Sequence, residues 1–190
     1  GSCFQKDILN LVYLCQYYGL NEVSEYWNQI IKINEYQKKR FSKKIVNELG
    51  GDLKGKKISI LGWAFKKNTN DSRESPAIYV ACYLLQEGAK LCIYDPKIDK
   101  NKVFKDLKSN FLKSNKIERF NQISGNYQVF YNSRDAIKNT DAIAVLTEWD
   151  EFKEIDWFGM RKNTIEKIKI FDGRNIITAT EENKLFSIGK

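Results

Sequence analysis

Residues 57–95 read KISILGWAFKKNTNDSRESPAIYVACYLLQEGAKLCIYD. The run KISIL, 57–61, is short, apolar and rich in β-branched residues, the pattern of a buried strand. After a polar loop, SPAIYVACYLLQEG at 75–88 carries Pro76 near its start and Gly88 at its end, the asymmetry of a helix. KLCIYD, 90–95, is a second strand, closed by Asp95-Pro96. Strand, helix and strand within about 40 residues make a βαβ unit, and so a parallel sheet.

The alternation continues downstream. A basic, irregular helix is read over about 100–113, a strand at 127–131 (YQVFY), and a short helix at 133–140 (SRDAIKNT). A strand at 141–147 (DAIAVLT), a helix at 158–165 (FGMRKNTI) and a strand at 167–173 (KIKIFDG) follow. This succession predicts an α/β fold with a doubly wound parallel sheet. Upstream, apolar residues recur at helical spacing from Cys3 to about Tyr18 and again from about Asn21 to Leu49. The second helix would be about 42 Å long at 1.5 Å per residue. Gly50-Gly51 and the DLKGKK that follows read as a linker. Residues 1–50 are therefore expected to be a central helical segment, and 51–190 a separate α/β domain.

Composition narrows the chemistry. The chain of 190 residues has 32 basic and 24 acidic side chains, a formal charge of +8. That surplus favours anionic partners such as phosphate esters, but no long basic block suggests a nucleic-acid footprint. No apolar run approaches the ~18 residues of a membrane span. The cysteines at 3, 15, 82 and 92 form no C-x-x-C pair, and three sit in apolar patterns. Buried thiols in a reducing, cytoplasmic setting are expected rather than disulfides or zinc ligands. Histidine is absent, which removes Ser-His-Asp and Cys-His catalysis and any His-bound metal. A general base here must be Asp, Glu, Lys or a water that they hold.

In a doubly wound sheet, ligands bind beyond the carboxyl ends of the strands. The first such end, GWAFKKNTNDSRES (62–75), has one glycine where a dinucleotide site would have G-x-G-x-x-G. It can hold an anion through Lys66 or Lys67 as point charges and Arg73 as a fork, though the same three residues also read as solvated loop charges. Arg174, after the Asp172-Gly173 turn, is at a second strand end. In TEWDEF, 147–152, Trp149 and Phe152 read as packing. At the start of the chain, Ser2 and Gln5 fit a capping box with Cys3 as the first helical residue. Lys6 and Asp7 then share its face. A thiolate, a cation and a carboxylate form a workable acyl-transfer set; a cysteine beside an ion pair is the plainer reading of the same residues.

Five segments in order, GSCFQKDILNLVYL (1–14), ILGWAFKKNTNDSRESPAIYV (60–80), IYDPK (93–97), TEWDEFK (147–153) and IFDGRN (170–175), together resemble the second half of the UDP-glucose 6-dehydrogenase family in its eukaryotic form. The resemblance covers essentially the whole chain. It implies a long-helix segment followed by a Rossmann-like UDP-sugar-binding domain. It also implies oxidation of UDP-glucose to UDP-glucuronate in two hydride transfers to NAD+, through a cysteine thiohemiacetal and thioester. By this resemblance Cys3 is the nucleophile, Asp7 orients water and Lys6 is their cationic neighbour. Phe65, Lys66 and Arg174 bind the sugar nucleotide, whereas Cys3, Phe4, Gln5, Lys6 and Arg73 line the NAD pocket; no metal is implied. An NAD-binding domain would precede these residues, so this chain alone is expected to be inactive and to self-associate through the long helix. Trp63, Asn68 and Asn70 depart from the residues usual in the family. Related enzymes acting on GDP-mannose or a UDP-N-acetylhexosamine, and a non-catalytic binding or oligomerisation module, are the competing readings.

Overall fold

Lys57–Leu61 forms strand β1, with Ile58 to Leu61 buried. It belongs to a computed structural model that describes residues 2–157, 168–178 and 185–188. The other strands are β2 (Lys90–Tyr94), β3 (Tyr127–Val129), β4 (Ala142–Val145), β5 (Lys169–Asp172) and β6 (Leu185–Ser187). Their order is β3-β2-β1-β4-β5-β6, and every neighbouring pair is parallel. The order reverses direction between β1 and β4, the mark of a doubly wound, Rossmann-like sheet. Strands such as AIAV in β4 are buried along their whole length because both faces of the sheet are covered.

Helix α3 (Pro76–Gln86) starts where the sequence says it should. The Ser75 hydroxyl accepts the Ala77 N–H at 3.3 Å, and Pro76 occupies a position with no intrahelical N–H bond to lose. Helix α4 (Lys100–Lys113) is capped by Asp99 and buries the stripe Val103, Leu107 and Phe111. It is a regular amphipathic helix, not an irregular one, with its lysines turned outward. Short helices α5 (Ile117–Ile123), α6 (Ser133–Ile137) and α7 (Asp150–Lys153) complete the layers among the described residues. The strand read at 127–131 stops at Val129, although Phe130 still donates its N–H to Ile93 at 2.8 Å. The helix read at 158–165 lies outside the described residues, and α5 and β6 carry too few patterned residues to have been read.

Ahead of the sheet, α1 (Ser2–Tyr17) and α2 (Asn21–Glu48) form an antiparallel hairpin. The Ser24 hydroxyl donates to the Val12 carbonyl at 3.3 Å across it. Helix α1 begins at Ser2 itself, one residue earlier than the capping-box reading. The second half of α2 buries Phe41, Ser42, Ile45 and Val46 and packs on α3. There Lys38 lies 3.4 Å from the centroid of the Tyr79 ring and pairs with Glu35. Upstream of these buried residues and on α1 the pattern differs: Tyr13, Tyr17, Tyr26, Ile33 and Tyr36 are each more than half exposed. No helix among the described residues is long and apolar enough to cross a membrane.

Candidate functional site

Where the strand order reverses, the loops after β1 and β4 meet. Gly62 stands at that crossing with φ +92, and a Cβ on it would lie 2.4 Å from the Thr147 Cβ and 2.6 Å from the Thr147 nitrogen. Glycine is required both by the backbone conformation and by this approach. Thr147 uses the closeness, donating its hydroxyl to the Ala64 carbonyl at 2.6 Å. The loop then closes on itself through the Phe65 N–H to the Asp71 carbonyl at 3.0 Å. Asn68 takes φ +61, a conformation that asparagine and glycine tolerate, so this departure from the usual residue keeps the turn.

Arg174 straps the site from the β5 side. Its backbone N–H and that of Ile177 are held by the fully buried Asp172 carboxylate, at 2.9 and 2.8 Å. The side chain donates from Nε to Leu146 O at 2.8 Å and from Nη2 to Phe65 O at 2.9 Å, and Glu148 lies 3.5 Å from Nε. Of the five N–H donors of a guanidinium, these two carbonyls use two. Among the described residues the other three have no hydrogen-bond partner, on a side chain that is already fixed. Phe65 is half-buried, and exposed Lys66 sets its Nζ 5.6 Å from that ring's centroid. The structure thus brings Phe65, Lys66 and Arg174 to one edge.

The other basic residues of the loop are engaged elsewhere. Lys67 pairs with Asp150 at 2.9 Å, and its backbone N–H reaches Glu148 at 3.2 Å. Lys153 and then Lys67 hold the Asp150 carboxyl down at about 2. Arg73 makes a two-pronged bond to Asp71, from Nε at 3.0 Å and Nη2 at 2.8 Å. That bond lowers the Asp71 pKa and raises that of Arg73. Lys67 and Arg73, both read as possible anion holders, are each paired with a carboxylate in this structure.

Cys3, in the first turn of α1, is within electrostatic reach of Arg73, whose cation is held chiefly by Asp71. Cys3, Phe4, Lys6 and Asp7 are exposed and Gln5 is half-buried. Cys15, Cys82 and Cys92 are buried and unbridged, and burial pushes the Cys82 thiol up to about 12. Limiting iodoacetamide at pH 8 is accordingly expected to alkylate Cys3 first in the native chain, as read by peptide mass mapping. Labelling of Cys82 or Cys92 ahead of Cys3 would contradict this placement.

The β1 turn does not suit a dinucleotide. It has a single glycine, Trp63 behind it is fully buried, and the acid after β2, Asp95, has its oxygens taken by protein N–H groups. Sequence reasoning passed over Asp95, Asp106, Thr147, Glu148 and Asp172. The signal was available in part, since Asp95, Thr147-Glu148 and Asp172 each stand at a strand's carboxyl end.

Residues 59–179 match the family model described as the UDP binding domain of the UDP-glucose/GDP-mannose dehydrogenase family. The chain is 45% identical over 177 residues to a UDP-glucose 6-dehydrogenase of Gallus gallus, covering 93% of this chain and 35% of that protein. It is 46% identical over 197 residues to UDP-glucose 6-dehydrogenase 4 of Arabidopsis thaliana, covering 100% of this chain and 40% of the relative. Among solved structures, a UDP-glucose dehydrogenase from Pyrobaculum islandicum aligns with a TM-score of 0.70 at 22% identity, over 98% of this chain and 36% of that one. A GDP-mannose dehydrogenase from Pseudomonas aeruginosa aligns at 0.69 and 18%, over 98% and 38%. These two share the fold. The chain spans well under half the length of such relatives.

Proposed function

Since the chain belongs to the UDP-glucose/GDP-mannose dehydrogenase family, we propose that residues 51–190 are the sugar-nucleotide domain, and 1–50 the central helical segment, of a UDP-glucose 6-dehydrogenase. The observation that carries this reading is Arg174. It is fixed by the Leu146 and Phe65 carbonyls with three N–H donors left over, beside Lys66 at a strand edge. A planar fork with free donors matches the oxygens of a diphosphate, and the half-buried Phe65 ring offers an apolar wall.

Catalysis in this proposal belongs to α1. The C6 hydroxyl is first oxidised to an aldehyde, the Cys3 thiol adds to its carbonyl carbon, the hemithioacetal so formed is oxidised to a thioester, and water oriented by Asp7 releases the acid and restores the thiol. Lys6 supplies positive charge beside the oxygen of the adduct. NAD, the acceptor in both oxidations, is assigned to a domain preceding these residues, with Arg73 and the turn from Cys3 to Lys6 at its edge; the present sheet is assigned none. The chain by itself would then be inactive. The exposed tyrosines of α1 and α2 support self-association along the long helix and docking of that preceding domain. Unbridged thiols fit a cytoplasmic setting.

Calorimetric titration of the chain with UDP-glucose, GDP-mannose and NAD+ tests the reading. Saturable heat for UDP-glucose alone is expected. Heat for GDP-mannose alone would move the assignment to that nucleotide, and saturable NAD+ heat competed by UDP-glucose would overturn the division of labour.

A further inference from the structure

The carboxylate of Asp95 accepts four N–H groups. Oδ2 takes the backbone N–H of Trp63 at 2.6 Å, that of Ala64 at 3.0 Å and the indole Nε1–H of Trp149 at 3.1 Å; Oδ1 takes the Lys97 N–H at 2.9 Å. Asp95 is 6% exposed. It follows β2, Trp63 and Ala64 follow β1, and Trp149 follows β4, so one side chain joins the three strand ends that flank the switch point. In a dinucleotide-binding sheet, the acid after β2 turns outward to ribose hydroxyls. Here it turns inward, and its lone pairs are spent on the protein.

We propose that Asp95 is the positioning residue of the sugar-nucleotide loop, setting through Trp63, Ala64 and Trp149 where Phe65 and Lys66 meet the ligand. This rests on the function proposed above. Phe65 follows directly on the clamped Ala64, and its carbonyl is one of the two that hold Arg174; a shift at Ala64 therefore moves both ligand-facing groups together. A second carboxylate makes the arrangement determinate. Asp106 on α4 accepts the Trp63 indole N–H at 3.0 Å and the Ser72 hydroxyl, and pairs with Lys102 at 2.9 Å. Trp63 is thus held by its backbone from β2 and by its ring from α4. Asp95 grips the start of the loop, Asp106 its far end. A bulky indole at this position keeps the loop's shape because two carboxylates fix it.

The test compares the chain with Asp95→Asn, Asp95→Ala and the control Ile123→Ala, which removes buried side chain from α5, a helix that packs on α3 and α4. Each is titrated with UDP by calorimetry at a temperature where circular dichroism shows it folded. Amide exchange is followed at Phe65 and Lys67, whose acceptors are Asp71 and Glu148 rather than Asp95. The Asp95 variants are expected to bind UDP at least about tenfold more weakly, because an unfixed loop must be ordered on binding. Their Phe65 and Lys67 amides should also exchange faster, while Ile123→Ala keeps affinity within twofold. UDP affinity within twofold of the parent in both Asp95 variants would overturn the proposal. A parent chain that takes up no UDP defeats the functional reading instead. The amides then decide for Asp95: faster exchange upholds the clamp, and unchanged exchange ends it.

Discussion

Arg174→Ala should abolish measurable UDP binding, with affinity falling by at least about 100-fold. Charge-assisted hydrogen bonds are worth about 1.5–3 kcal/mol each, and a bidentate contact uses two. Loss of the fork also leaves the Leu146 and Phe65 carbonyls without the side chain that donates to each of them, so the loop is released as its charge is removed. Arg174→Lys separates the two contributions. Lysine keeps the charge but brings a single ammonium in place of a planar fork, and it cannot serve two carbonyls and a phosphate in the arginine geometry. Both variants should therefore fail in the same titration, the lysine only slightly less completely. Retention of near-parental affinity by Arg174→Lys would show that charge alone suffices and that the strap is incidental to binding.

Gly62→Ala is expected to be the costliest single methyl in the domain. The left-handed backbone at φ +92 strains any side chain, and the new Cβ would sit 2.4 Å from the Thr147 Cβ with the Thr147 backbone directly behind it. Strain of about 1–3 kcal/mol and overpacking of similar size give a loss of about 2–6 kcal/mol. That is a large share of the roughly 5–15 kcal/mol by which domains are usually stable. Gly88→Ala is the matched comparison. Its φ of +93 is nearly the same, but its nearest neighbours, atoms of Lys54, lie 3.7 Å away, so only the backbone strain remains. Urea midpoints for the two variants measure the difference. Equal losses would mean that the loop after β4 can move aside from β1, contrary to the crossing described here.

Much of this architecture was legible because it obeys short-range rules. KISIL, the Pro76-to-Gly88 helix and KLCIY each announce themselves by periodicity and punctuation, whereas the bounds of α4 were read but its Asp99 cap and apolar stripe were not. Arg174 was singled out from its place after a strand, and the structure puts it against Phe65. What could not be read is pairing over long separations. Lys67 and Arg73 look alike in sequence, yet one is matched by Asp150, 83 positions away, and the other by Asp71, two away. Asp95 looked like a strand terminator; its role depends on N–H groups 32, 31 and 54 positions distant. Trp149 was read as packing and is buried, but it is also one of those donors. Nothing local distinguishes a carboxylate that meets ligand from one consumed by the protein.

The strap by Arg174 has a consequence for the order in which the domain can mature on the ribosome. Synthesis delivers β1 and its loop first, then β2, β3 and β4, and Arg174 only after β5. Until it emerges, the Phe65 and Leu146 carbonyls can be hydrated, and the ligand edge lacks the residue that unites its sides. Under the proposed function, the nascent domain could thus assemble much of its sheet before it is able to hold a sugar nucleotide. Under the function proposed for this edge, recognition would be switched on late in translation, by a side chain made 109 residues after Phe65.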